Sequence, residues 1–377
     1  MRTKREKPAK PYAGFPLFPH ASGQWAKTIL GEHHYFGKWD DWQAALEKYN
    51  AHKDYLYARQ SPPSDHITLA DVLNEFRNRK RQAVADGELT ERSFEEYESV
   101  CDTIATLGKQ LPVEVVNLAK VRTKICKGKN GKRLSPTSQK RLLGIARMVF
   151  NFANEEMEPP LAKPIRYRKA LKLPPAKIIR QSRNEVGERL FSAEEIRGLL
   201  AIAKPQMKAM IYLGINCGFG NRDCATLPVE RVDVSGGWHY YWRPKTQIAR
   251  RCPLWPETAA ALYAIIKERK SGLVFITKYG NPWEGKGRAD PISYEFRKLV
   301  HELKIHRKGV TTFYSLRRTF ETIGATTGEQ LAVDYIMGHT PPADDMAAVY
   351  RQKTFNSPLL KVTDHVRGWL NGSISVT

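Results

Sequence analysis

The amino-acid sequence predicts a multidomain, mainly α-helical protein with a small β-rich module at its amino terminus. Its 377 residues exceed one ordinary domain and suit two or three. A hydrophobic fraction of 41% is enough for buried cores. Apolar residues recur at helical spacing through most of the chain, and strand-like stretches are few. Proline-rich breaks within residues 61–64 and 158–189 divide the chain into its predicted parts.

Residues 1–60 predict a basic arm followed by a β-hairpin and a helix. Two β-rich runs flank Leu30-Gly31-Glu32, which predicts a hairpin. Residues 40–57 place four apolar side chains on one helical face, those of Trp42, Ala45, Leu46 and Tyr49. Aromatic residues mixed with Lys and His are typical of a small nucleic-acid-binding module. A mini-core that only folds the amino terminus explains them equally well.

Residues 65–157 predict a helical domain. Thr68 is placed to cap a first helix, Thr90 opens a second, and Ser135-Pro136 starts a third. The next stretch, 158–189, is rich in Pro, Lys and Arg and predicts a basic linker. A solvated run of charge is the usual explanation for such a stretch. Because this one joins two folded regions of a basic protein, we expect it to contact phosphate.

Residues 190–377 predict a mixed α/β domain. Ser192 and Glu195 form a capping box ahead of its first helix. A β-hairpin is expected near residues 237–254 and a short strand at Leu273–Ile276, with helices before and after them.

The charge of the chain predicts a polyanionic partner. Lys and Arg number 61 against 39 acidic residues, which leaves a formal charge of +22. The sequence has no apolar run long enough to span a bilayer, and its basic amino terminus lacks the apolar core of a signal peptide. We therefore expect a cytoplasmic, nucleoid-associated protein without a membrane partner.

The five cysteines are scattered, and we expect them to be reduced and mostly buried. None forms a CxxC pair, and no histidine spacing matches them. The sequence therefore supports neither a disulfide framework nor a metal site. The cysteines are Cys101, Cys126, Cys217, Cys224 and Cys252.

Three groups near the carboxyl terminus have the chemistry of phosphodiester cleavage without a metal. Such cleavage requires a nucleophile, donors for the nonbridging oxygens and an acid for the leaving oxygen. Tyr350 offers a hydroxyl, Arg317 a permanent charge that can fork onto two phosphate oxygens, and His339 a hydrogen bond. Taken singly, each could be an ordinary packed, surface or capping residue.

The order of these groups resembles the signature of the tyrosine recombinases, the phage integrase family. The family has an H-x-L-R box, then L-G-H, then a tyrosine. Here Tyr314 to Arg317 are followed by Gly338-His339 and Tyr350. The resemblance implies site-specific DNA recombination or integration through a 3′-phosphotyrosine intermediate, with no cofactor or nucleotide, and Tyr314 in place of the usual histidine.

The predicted hairpin near 237–254 adds to this resemblance. Its Lys245-Thr246 and Arg250-Arg251 are similar to the family's hairpin, whose lysine donates the proton of the leaving group. By the same resemblance, residues 65–157 correspond to a helical core-binding domain and 190–377 to the catalytic domain. The amino-terminal module then corresponds to one that binds accessory arm sites.

The first catalytic arginine of the family is missing from its expected position. The family has T-G-L-R-x-x-E where this chain has Cys217 to Asp223, and a gapless count places Gly220 at the arginine position. Arg222 follows two residues later. Either Arg222 has taken over the role or another cation does.

The resemblance implies double-stranded DNA as the partner, a homotetramer on two duplexes, and a bacterial or phage gene. The segment Phe355–Leu370 has an apolar face that we expect to dock on a neighbouring protomer. Nine basic residues outside the catalytic set are expected to contact DNA. They are Lys124, Lys127, Lys129, Lys132, Arg133, Lys140, Arg250, Arg251 and Arg318.

Three alternatives remain at this point. A catalytically impaired DNA-binding descendant of a recombinase would explain the missing arginine. A type IB topoisomerase-like enzyme would use the same covalent chemistry to relax supercoils without a specific site. A metal-dependent nuclease is disfavoured because no cluster of Asp and Glu accompanies the signature.

Overall fold

The computed structural model describes residues 7–59, 66–128, 130–285, 290–340 and 355–376. The chain forms two compact units. The first comprises Met1–Thr90, Glu96–Leu134 and Gln139–Leu173, and the second comprises Glu91–Glu95, Ser135–Ser138 and Pro174–Thr377. The predicted multidomain, mainly helical fold with a small amino-terminal sheet is confirmed. Within the described residues, no helix combines the length and apolar character needed to cross a membrane.

The amino-terminal module is a three-stranded antiparallel sheet covered by one helix. The elements are β1 (Phe18–His20), β2 (Gln24–Ile29), β3 (Glu32–Lys38) and α1 (Trp42–Tyr57). The predicted hairpin is confirmed, and its turn residues Leu30 and Gly31 both have positive φ, as a tight two-residue turn requires. Strand β1 was not predicted. Trp25 and Phe15 fill the small core beneath α1.

A second core in the first unit is built from helices. They are α2 (Leu69–Ala85), α3 (Glu91–Ala105), α4 (Leu118–Ile125), α5 (Pro136–Glu155) and α6 (Tyr167–Ala170). Thr68 caps α2 as predicted, because its side-chain oxygen accepts from the N–H of Asp71. The carboxylate of Asp71 in turn accepts from the N–H of Thr68. Tyr167 and Leu171, from the predicted linker, are buried in this core. That part of 158–189 therefore belongs to a folded unit, because its apolar side chains pack in the helical core even though the segment is rich in Lys and Arg.

The second unit combines nine helices and a small antiparallel sheet within its described residues. The sheet consists of β4 (Val232–Asp233), β5 (Trp238–Tyr240) and β6 (Arg251–Pro253), in that order. The helices are α7 (Ala176–Asn184), α8 (Ala193–Ile202), α9 (Pro205–Asn216), α10 (Asn221–Ala225), α11 (Pro256–Ile266), α12 (Pro291–Glu302), α13 (Phe313–Ala325), α14 (Gln330–Met337) and α15 (Asn356–Leu370).

Two predictions for this unit are confirmed and one is wrong. Ser192 and Glu195 form the predicted capping box at α8, and β5 and β6 form the predicted hairpin. The stretch Leu273–Ile276 makes only isolated bridges, to Pro228 and Pro282, rather than a strand.

The apolar face of α15 packs on its own chain. Leu359, Val362, Val366 and Leu370 are buried in the core of the second unit, against α13 and α14 among others. In this structure the face is therefore covered, and it does not offer the predicted docking surface for a neighbouring protomer.

Candidate active site

Arg317 lies one turn into α13 with only 1% of its surface exposed. Its Nη2 donates to the carbonyl oxygen of Met337 at 2.6 Å, and its Nη1 donates to that of Gly218. Its Nε is buried and has no acceptor in the described part of the chain. The two Nη groups expected to fork onto phosphate are thus engaged with carbonyl oxygens at the ends of α9 and α14.

Two further arginines lie beside Arg317. Burial, and then the charges of Arg243 and Arg250, lower the pKa of Arg317 to about 10, although Asp223 opposes the shift. Arg243 is half-buried, and its Nη1 lies 3.3 Å from the carbonyl oxygen of Gly338. The sequence reasoning missed Arg243, although it precedes Lys245 by only two positions.

Arg250 is buried, with 2% of its surface exposed, and does not lie on the DNA-facing surface where it was expected. Its Nη2 donates to Asp223 Oδ1 at 2.7 Å, and its Nε donates to the carbonyl oxygen of Tyr241 at 3.0 Å. Its guanidinium carbon lies 4.4 Å from the ring centre of Phe219. The charge is held inside because Asp223 pairs with it. Alternation along the hairpin, which buries Arg250 and Cys252 and turns Arg251 outward, is the pattern that could have predicted this.

The site has no arginine at position 220. Gly220 precedes α10, and its N–H donates to Asp223 Oδ2 at 2.7 Å. Arg222 is exposed, and its Nη2 lies 3.9 Å from Glu284 Oε1. The side chain of Arg222 thus lies at the surface, whereas those of Arg250 and Arg317 are buried.

Tyr314 lies next to Gly220, the position at which the family has its first catalytic arginine. A Cβ built on Gly220 would lie 3.5 Å from the Tyr314 ring. Tyr314 is 42% exposed, which leaves its hydroxyl accessible, and the guanidinium carbon of Arg318 lies 5.2 Å from its ring centre. Arg318 itself is half-buried, and burial, followed by the charge of Arg189, lowers its pKa.

His339 is fixed by the end of α14. Gly338 ends the helix with φ of 61°, in the left-handed region that favours glycine. The Nδ1 of His339 lies 2.9 Å from Asp334 Oδ1, so the ring is oriented with Nε2 on its opposite side. The carbonyl oxygen of Gly338 also accepts from Thr246 at 3.2 Å, which joins this loop to the hairpin.

Lys245 lies at the exposed turn between β5 and β6. The N–H of Arg243 donates to the carbonyl oxygen of Ile248 at 2.9 Å, which closes the turn. Gln247 lies within this turn and has a positive φ of 56°. The lysine is therefore carried by an ordered turn with its side chain in solvent. Tyr350 lies outside the described residues.

The remaining basic residues divide between the two units. Arg251 is half-buried, with its guanidinium carbon 5.2 Å from the ring centre of Trp238. Lys129 lies outside the described residues. Five predicted DNA contacts of the first unit are exposed, as a phosphate-binding surface requires: Lys124, Lys127, Lys132, Arg133 and Lys140.

One buried cluster has the composition of a metal site. Cys217, His239 and Cys252 bring their donor atoms within 4.8 Å of one another. No sequence pattern indicates this cluster, because Cys217 lies far from the other two residues in the chain and meets them only when the hairpin packs at the end of α9. All five cysteines are free thiols, and four of them are buried.

The second unit matches a known family. The family model described as the phage integrase family matches residues 189–357. No curated protein sequence matches the chain significantly.

Solved structures share the fold. A lambda integrase dimer bound to a COC′ core site is 16% identical, with 92% of this chain and 96% of that chain covered and a TM-score of 0.56. The Tn1549 transposon integrase in complex with transposon right-end DNA is 17% identical, with coverage of 77% and 97% and a TM-score of 0.53. A lambda integrase tetramer bound to a Holliday junction is 15% identical, with coverage of 89% and 98% and a TM-score of 0.54. Residues 189–357 thus match the phage integrase family, the tyrosine recombinases, and the chain shares the fold of these solved integrases.

Proposed function

We propose that this protein is a site-specific DNA recombinase that cuts and rejoins strands through a 3′-phosphotyrosine link to Tyr350. The observation that carries the proposal is the group of three arginines, Arg243, Arg250 and Arg317, beside Met337 and Gly338, which directly precede His339. Three guanidinium groups and one facing carboxylate, that of Asp223, leave an excess of positive charge in a poorly solvated place.

An anion bound at this place would relieve the repulsion. The pKa of Arg317, lowered to about 10 by burial and by Arg243, still leaves its guanidinium charged at neutral pH. A phosphodiester is a matching ligand because its nonbridging oxygens accept from guanidinium N–H groups. The charge therefore favours a phosphate-binding site over a merely structural cluster.

We assign Arg243 and Arg317 to the phosphate and Arg250 to positioning. Arg317 offers its unpaired Nε, and Arg243 is half-buried beside the loop of Gly338. Arg250 is enclosed and bonded to Asp223, so it holds that carboxylate and the hairpin in place. In this proposal Arg243 of the hairpin supplies the cation that is absent at position 220. Arg222 does not supply it.

The reaction then needs no metal ion or nucleotide. The Tyr350 oxygen attacks phosphorus while its proton passes to water, the bond from phosphorus to the 5′ oxygen breaks, and Lys245 protonates that oxygen. His339 and the hydroxyl of Tyr314 donate to the phosphate. Attack of a 5′ hydroxyl on the phosphotyrosine reverses the steps and rejoins the strand.

The partner is double-stranded DNA, contacted by the basic surfaces of both units, and the working assembly is a homotetramer. The charge of +22 supports the first point. The tetramer of lambda integrase on a Holliday junction supports the second. The cytoplasm, at the nucleoid of a bacterium or on phage DNA, is the place where we expect it to act.

Trapping on a library of nicked duplexes tests the chemistry. Loss of the short 3′-flanking strand makes cleavage irreversible, so wild type is expected to form a denaturation-resistant adduct and Tyr350→Phe none. Arg243→Ala and Arg317→Ala are expected to lower the adduct yield by at least tenfold, whereas Arg222→Ala retains it. An adduct lost in Arg222→Ala but retained in Arg243→Ala would contradict the assignment.

A catalytically impaired DNA-binding protein is the second candidate, and the missing side chain at Gly220 is the observation that favours it. DNA binding by wild type without any adduct, on duplexes that carry its own site, would support this reading. Relaxation of supercoiled DNA without a specific site would instead support a topoisomerase-like activity.

A further inference from the structure

Cys217, His239 and Cys252 form a closed cluster of potential metal ligands in the second unit. Cys217 directly follows α9, His239 lies on β5, and Cys252 lies opposite it on β6. All three residues are 0% exposed, and their donor atoms lie within 4.8 Å of one another. Two thiols and one imidazole are thus brought together away from water.

His239 is the unusual member of this cluster. Both of its ring nitrogens are buried and have no hydrogen-bond partner in the described structure. Leaving a buried polar group unpaired costs about 1–3 kcal/mol, so a core histidine normally finds a partner. Its ring packs edge-on against Phe219, with centroids 4.9 Å apart, and this contact satisfies neither nitrogen. The described side chains and backbone thus leave the ring nitrogens available to bind a ligand.

We propose that Cys217, His239 and Cys252 bind a structural zinc ion. Thiolate sulfur and imidazole nitrogen are the donors of structural zinc sites, with Zn–S about 2.3 Å and Zn–N about 2.0–2.1 Å. Tetrahedral ligands at those lengths lie about 3.5–3.8 Å apart, within the 4.8 Å that spans the cluster. Binding displaces one proton from each thiol, so Zn²⁺ with two thiolates and a neutral imidazole carries no net charge.

The surroundings suit this ion. Neither ring nitrogen of His239 bonds to another described group, so either one can bind a metal. The carbonyl oxygens of Asn216 and Pro253 lie 3.6 and 3.4 Å from Cys252 Sγ and offer a fourth donor. A disulfide between the two cysteines would leave both nitrogens of His239 unsatisfied, and so explains less.

The position of the cluster gives the ion a structural role. Cys217 adjoins Gly218, whose carbonyl oxygen accepts from Arg317, and Cys252 lies two residues after Arg250. An ion at this point would fasten the hairpin, with Arg243 and its turn, to the end of α9. The ligands are fully enclosed, so the ion is separate from the phosphate chemistry proposed above, and its detection does not depend on that function.

Metal analysis of the full chain tests the inference without DNA. Protein purified without chelators is expected to hold about one zinc per chain by mass spectrometry of the metal. Replacement by Co²⁺ is expected to give a thiolate-to-cobalt charge-transfer absorption and the intense visible bands of tetrahedral cobalt. Cys252→Ser and His239→Gln are expected to lose the metal, whereas Cys126→Ser, a half-buried cysteine of the first unit, keeps it.

Measurements on the wild type keep the inference testable if the core variants do not fold. Zinc added back to chelator-treated protein is expected to release two protons and to raise the temperature of unfolding. The inference fails if the wild type holds no zinc and gives no cobalt–thiolate absorption. It also fails if peptide mapping of the native protein shows Cys217 and Cys252 joined as a disulfide.

Discussion

Replacing Asp223 with asparagine tests whether the arginine group is held together by one buried carboxylate. Asp223 Oδ1 accepts from Arg250 Nη2 at 2.7 Å, and the two side chains are 9% and 0% exposed. Removing one partner of a buried pair costs about 3–5 kcal/mol, because the remaining charge is left uncompensated. Here the cost includes the repulsion of Arg250 by Arg317. We therefore expect a loss near the upper end of that range.

Urea unfolding of the full chain measures this loss. With a slope of about 2 kcal/mol per molar urea, the midpoint of the second unit is expected to fall by roughly 2–2.5 M. Tryptophan fluorescence follows the transition, since Trp238 and Trp255 lie in that unit. Glu284→Gln is the matched control, because its pair with Arg222 is exposed and 3.9 Å long and contributes about 0–1 kcal/mol.

A double variant separates the charge from the packing. Arg250→Met removes the uncompensated cation at similar volume, so Asp223→Asn combined with Arg250→Met is expected to lose less than the sum of the two single changes. The reasoning is refuted if Asp223→Asn shifts the midpoint no more than Glu284→Gln does. It is also refuted if the two single losses simply add.

Three further predictions concern the DNA interface, the carboxyl-terminal helix and acid stability. Binding to duplex DNA is expected to weaken by about 10³-fold or more between 50 and 200 mM salt, since six or more phosphates would be neutralised; a filter-binding titration with little salt dependence would contradict this. Leu359→Ala is expected to lower the free energy of unfolding in urea by about 2–5 kcal/mol, because Leu359 is fully buried. Leu360→Ala is the control: its position is 41% exposed, and the expected loss is less than about 1 kcal/mol. Equal losses would show that α15 does not pack as described. Burial alone raises the pKa of Glu257, but its hydrogen bond and charge pairing with Arg367 hold it below the ordinary value. This pair therefore stabilises the fold above the unfolded pKa of Glu257, and the contribution disappears as the pH falls through the lowered folded value. Glu257→Gln is expected to reduce the fall in unfolding temperature on acidification, and an unchanged pH profile would argue against the pairing.

Local patterns were sufficient to predict much of the fold. Thr68 with Asp71 and Ser192 with Glu195 mark helix starts because their bonds are made within one turn. The hairpin at Leu30-Gly31 followed from its turn chemistry. Tyr167 and Leu171 were missed because a basic, proline-rich composition hides two side chains that pack against distant helices.

In the candidate active site, contacts between residues far apart in the chain could not be predicted from local patterns. The order Arg317, His339, Tyr350 is a linear pattern, and so the family could be recognised. The burial of Arg250 depends on Asp223, which is 27 positions away in the chain, and the position of Arg243 depends on its contact with Gly338. The cluster of Cys217, His239 and Cys252 likewise exists only after three elements have packed.

Identification of the residue that becomes linked to DNA tests the central claim most directly. Wild-type protein trapped on a nicked duplex is digested with nuclease and protease, and the modified peptide is sequenced by mass spectrometry. One modified residue is expected, Tyr350, carrying a nucleotide through its 3′ phosphate. A modification on another residue, or on Tyr350 through a 5′ phosphate, would contradict it.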